Sequence, residues 1–127
     1  MSMDWHHFLS LGLSVVWAVT SSPVSAKGYK WSCSYSQSAS VDGLKPDSFN
    51  MEFAFDDVTQ KGVNIGNNGV ADVEFQSGRS GVSFLEKLQT GAVQSTTIAN
   101  DGTSVHSRHT IIGTKMMASQ YYGHCRQ

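Results

Sequence analysis

Residues 105–125 read VHSRHTIIGTKMMASQYYGHC. The stretch holds His106, His109 and His124 and ends in Cys125, one of two cysteines in the chain. Gly113-Thr114 divides it into two runs rich in β-branched and aromatic residues, the pattern of a hairpin. In the second run Met117, Ser119, Tyr121 and Cys125 share a face, because side chains alternate along a strand. The other cysteine, Cys33, lies far back in YKWSCSYS, where Tyr29, Trp31, Cys33 and Tyr35 alternate with Lys30, Ser32, Ser34 and Ser36. Both cysteines thus sit on an aromatic face, one in the first strand and one in the last. Pairing them predicts a sheet that curls until its two edges meet.

The segments between have the same period. Phe49, Met51, Phe53 and Phe55 alternate with Asn50, Glu52, Ala54 and Asp56; Ala71, Val73 and Phe75 alternate with Asp72, Glu74 and Gln76. Gly66-Asn67-Asn68-Gly69 and Asn100-Asp101-Gly102 suit the positive φ of tight hairpins. Asp42-Gly43 and Pro46 predict a loop over residues 38–48. Turn signals recur about every 10 to 12 residues and no segment is amphipathic at helical period, so the chain reads as all-β. The expected fold is a small antiparallel meander barrel of about eight short strands closed by a disulfide, with a two-layer sandwich as the alternative.

Residues 8–19 (FLSLGLSVVWAV) are apolar but shorter than a bilayer span, and the small residues Val24 and Ala26 follow. The reading is a secretory signal over residues 1–26 and a single all-β domain over 27–127. Outside that leader, nine Lys and Arg face nine Asp and Glu, since of the ten acidic residues only Asp4 lies within it. A balanced charge without a basic cluster argues against nucleic acid as partner. It also leaves no polybasic patch for a membrane surface. Two cysteines in an exported chain pair most simply as Cys33–Cys125, placing the protein in the periplasm or outside the cell. No CxxC or CxxH spacing supports a metal site, and no cofactor motif occurs.

Chemistry-bearing side chains gather near the end of the chain. On a strand, His106 and His109 face opposite ways, which is wrong for a shared metal, and His106 shares its face with Arg108. A guanidinium there suits a carboxylate or phosphate ligand; the plainer expectation pairs Arg108 with Glu86, Glu74 or Glu52. Glu86 interrupts the apolar alternation of Val82, Phe84 and Leu88, so it either points inward or is turned out by a bulge. Tyr122 and His124 face away from Tyr121 and form an amphipathic outer patch suited to a partner. Arg79 stands in the small-residue turn SGRSG at 77–81, a shape that enters an acidic cleft.

These features lead to a non-enzymatic binding module that presents loops or a rim to an extracytoplasmic protein or small molecule. An exported barrel of this size with one closing disulfide resembles, in architecture, the periplasmic C-type lysozyme inhibitors of Gram-negative bacteria. No residue of their inhibitory loop matches, so the resemblance transfers none. The alternative is a carrier holding a small apolar ligand between Trp31, Phe53, Phe84 and Tyr121. An enzyme built on His106, Arg108, His109 and Glu86 ranks third, because no nucleophile or P-loop signature accompanies them.

Overall fold

A computed structural model of the chain describes residues 28–67 and 69–127; the leader read over 1–26 lies outside the described residues. The alternating faces become eight strands: β1 (Gly28–Ser40), β2 (Gly43–Asp56), β3 (Lys61–Gly66), β4 (Gly69–Ser77), β5 (Gly81–Lys87), β6 (Val93–Ala99), β7 (Thr103–Ile112) and β8 (Lys115–Arg126). Each pairs antiparallel with the next, and β8 returns to β1, so the sheet is a closed meander barrel rather than a sandwich. The closing disulfide joins directly opposed partners, Cys33 and Cys125, across the β1/β8 seam. Such a bond fits an oxidising compartment.

The seam is drawn tight beside the bridge. Gly123 faces Tyr35, and a Cβ there would lie 2.6 Å from the Tyr35 Cα and would strike the Ser34 carbonyl oxygen. Only glycine permits that approach.

The loop expected over 38–48 is instead continuous strand on either side of a two-residue turn at Val41-Asp42. Pro46 is accommodated because it pairs with Gln37 at a bulge in β1, and because β2 joins β3 only from Glu52 onward. Pro46 therefore sits on an edge, where a missing N–H costs no ladder bond.

One end of the barrel is filled. Phe53 and Phe84 stack with ring centroids 4.4 Å apart, and Phe55 and Phe75 pack around them. Met51, Val73, Val82, Ile98 and the disulfide complete this core, with Trp31 against it. Burial of an aromatic ring here contributes about 1.5–3 kcal/mol. Tyr35 enters from β1, and its hydroxyl lies 2.9 Å from Ser104 Oγ. Burial pushes its phenol up to about 12, with the Ser104 bond opposing the rise. Tyr35→Phe keeps the ring but strands the buried Ser104 hydroxyl, so a loss of about 1 kcal/mol is expected in urea melts. An unchanged midpoint would show that bond to be idle.

Candidate functional site

Hairpin register sets inward residues in rows across β5 to β8. Val82, Ile98, Ser104 and Gly123 form one row; Phe84, Thr96, His106 and Tyr121 form the next; Glu86, Gln94, Arg108 and Ser119 form the third. The rows change from mostly apolar to polar along the barrel axis. Above the filled core the polar row borders an open cavity of about 540 Å³, lined by Phe49, Asn64, Glu86, Gln94, Arg108 and Thr110 among others. Its rim comes from Gly66, Asn67 and Gly69 of the β3–β4 hairpin, Thr90 before β6, and Ile111 near the end of β7. A size of this order suits a small molecule.

Arg108 has a different environment from the one expected. Among the described residues the ion pairs are Lys30–Glu52 at 3.2 Å and Lys87–Glu74 at 2.9 Å, both exposed. Arg108 belongs to neither. Its Cζ instead lies 5.2 Å from the Phe49 ring centroid and 5.5 Å from that of Tyr121. Two ring faces hold a guanidinium through their negative quadrupoles while leaving its charge without a counter-ion. Its Nε is sealed off without a hydrogen-bond partner among the described residues. A buried polar atom left this way costs about 1–3 kcal/mol, so its position is set by packing and not by a bond. The expected pairing with Glu74 or Glu52 fails because those carboxylates stand on the outer face.

Glu86 keeps to the alternation of β5 without a bulge and lines the same cavity. It forms no ion pair with Arg108, although the residues are separated only by Gln94 across the row. Opposite them on β3, Asn64 lines the cavity and its Oδ1 is buried without a partner among the described residues. Among the described residues the mouth thus holds a cation, an anion and the amides of Asn64, Asn67 and Gln94.

His106 lies beneath this row, 1% exposed. Its ring centroid is 5.8 Å from both Phe49 and Tyr121 and 6.1 Å from Tyr35. Its Nδ1 shares a 2.6 Å hydrogen bond with Thr96 Oγ1, and Nε2 has no partner among the described residues. Burial, reinforced by the nearby Arg108 charge, lowers its pKa to about 4. The imidazole is therefore neutral near pH 7 and is packed beneath the polar row, outside the cavity lining.

The remaining sequence candidates fall elsewhere. His109 is exposed on the outer face of β7. Tyr122 lies beside Val105 and Thr97 in a shallow outer groove, and its hydroxyl donates to Gln120 Oε1 at 2.8 Å. His124 is exposed at the filled end beside Asp101, whose carboxyl is held low by bonds from Thr103 and more weakly by that imidazole. Arg79 is also at the filled end, in a turn fixed by Asn100 Nδ2 donating to its carbonyl at 2.8 Å. Among the described residues no three His, Cys, Asp or Glu side chains converge to hold a metal. The space imagined between Trp31, Phe53, Phe84 and Tyr121 is closed by the Phe53–Phe84 stack. Asn64, Gln94 and Phe49 had no motif to mark them as site residues; their one signal was a polar or aromatic residue on an inward phase near the same barrel end.

Fold and site together define a closed eight-stranded antiparallel barrel, filled at one end and open and polar at the other. Compared with protein-family models, curated proteins and solved structures, the chain matches none.

Proposed function

We propose that this chain is an extracytoplasmic, non-catalytic binding protein that takes a small polar molecule into the open end of its barrel. One observation carries the reading: Glu86, Gln94 and Arg108 stand in one row above a filled core, around about 540 Å³ of open space. Side chains that served only stability would have closed that space or paired with one another. A non-catalytic role is supported by the histidines, since His106 is sealed beneath the rings and His109 is outside. The apolar run at 8–19 and the disulfide support export to the periplasm or beyond.

The test is a titration of small-molecule mixtures followed by amide resonances of the labelled chain. Expected are saturable shifts at Asn67, Thr90, Thr110 and Ile111, with the 77–81 turn unmoved. Shifts centred on that turn, or none at the mouth from any mixture, would remove the reading.

A macromolecular partner is the second reading, favoured by exposed apolar side chains at two hairpin tips: Val41 and Leu44 on β1–β2, and Ile112, Met116 and Met117 on β7–β8. Exposed apolar clusters of this kind mark interaction surfaces. In the same spectra a protein partner, with a lysozyme the first to titrate, would move the tip resonances instead.

A further inference from the structure

The mouth keeps two opposite charges in one cavity without letting them meet. Arg108 and Glu86 stand on strands separated by β6 alone, a backbone distance of roughly 9.5 Å at ordinary strand spacing. Long side chains can bridge that gap, yet no Glu86–Arg108 ion pair forms. The guanidinium is held instead against Phe49 and Tyr121, by contacts that neutralise nothing. A cation and an anion maintained apart across a partly enclosed cavity form a field with two poles, and the ligand that complements it carries two poles of the reverse order.

Resting on the reading of the mouth as a ligand site, we infer that its ligand is a small zwitterion of the amino-acid type. Its carboxylate lies against the Arg108 guanidinium, whose planar donors match carboxylate geometry. Its ammonium lies against the Glu86 carboxylate, an acceptor for a group with three donors. Gln94, between the charged pair in the row, has both a donor and an acceptor to bridge the two poles. The rest of the molecule rests on apolar side chains of the lining such as Phe49, Met51 and Leu88.

Competing ligand classes fit less well. A simple anion would satisfy Arg108 but face the Glu86 carboxylate across the same space. A simple amine would satisfy Glu86 and face an uncompensated guanidinium. Like-charge approaches of this kind are how a site rejects the wrong partner.

The experiment is calorimetric titration of the oxidised full chain with L-leucine, its amine analogue isopentylamine, its blocked form N-acetyl-L-leucine, glycine, L-phenylalanine, L-glutamine and glucose. At least one free amino acid is expected to bind saturably. Removing its carboxylate or blocking its amine should each weaken binding at least tenfold. In Arg108→Met the preference for the amino acid over its amine should vanish. In Glu86→Gln the preference over the N-acetyl form should vanish. Each variant is first checked for an unchanged near-ultraviolet circular dichroism spectrum, and the panel on the unaltered chain decides the matter without either.

The inference is overturned if the N-acetyl acid or the amine binds as tightly as the parent. It is also overturned, with the mouth still a binding site, if glucose moves the Asn67 and Thr110 resonances and no amino acid does. If no compound of the panel binds and no mixture shifts the mouth, the inference and the functional reading fall together.

Discussion

Removing the Cys33–Cys125 bridge, by reduction or in the Cys33→Ala/Cys125→Ala double variant, is expected to lower the unfolding free energy by about 4.7 kcal/mol. The bond spans a sequence separation of 92, so it restrains nearly the whole described chain in the unfolded state. Chain-entropy arguments give their largest effect for loops of this length. A loss of that size corresponds to a fall in melting temperature of roughly 20 to 35 °C for a domain near 100 residues. The folded ring itself need not open, since β1 and β8 also share a backbone ladder from Ser32/Arg126 to Ala39/Gln120. Both cysteines are almost completely buried, so the alanines leave a small cavity that adds to the entropic loss. Thermal melts with and without a reductant measure the effect. A drop below about 1 kcal/mol would mean that the ladder and the aromatic core hold the ring closed unaided, or that the reduced unfolded state keeps its ends together.

That bridge is also where sequence reading was strongest. Period-two alternation placed Cys33 with Tyr29, Trp31 and Tyr35, and Cys125 with Tyr121, and inward phase is what strand geometry determines. Phase says which way a side chain points but not how far along the barrel it lies, because that depends on register between strands distant in sequence. Arg108 illustrates the limit. That it shares a face with His106 was legible, but which way that face points, and the choice between a carboxylate partner and two aromatic rings, depended on where β2 and β8 brought Phe49 and Tyr121. Glu86 was visible as an irregularity in an apolar run, whereas Gln94 and Asn64 occur in short strands with nothing local to distinguish them. Only successive pairings carry Glu86 through Gln94 to Arg108 and make a row of them. The loop expected around Pro46 failed for a related reason: proline forbids a central strand, and the sequence alone does not say which stretch of β2 lacks a second neighbour.

The second large effect is a loss of stability in mild acid that depends on His106. Its pKa is about 4 in the fold against 6.5 as the ordinary value, because burial disfavours the imidazolium and the Arg108 charge adds to the penalty. Between those values the unfolded chain binds a proton that the folded chain refuses, so unfolding is favoured as pH falls. The contribution is complete above pH 6.5, declines as pH drops toward 4, and changes no further below that. A shift of this size is worth about 3 kcal/mol across the window. His106→Gln retains a polar side chain that can bond to Thr96 but cannot take up the proton. Its unfolding free energy should fall less than that of the unaltered chain between pH 7 and pH 4, by about the same 3 kcal/mol. Asp101, also held below its usual pKa, acts in the same direction but at lower pH, and it is common to both proteins, so the difference between them isolates the imidazole. Parallel pH curves for the two would show that His106 takes up its proton in the fold without cost. A converging pair would place the penalty beneath Arg108, where His106 packs against Phe49 and Tyr121, and acid would then act on the same aromatic seat that holds the guanidinium at the mouth.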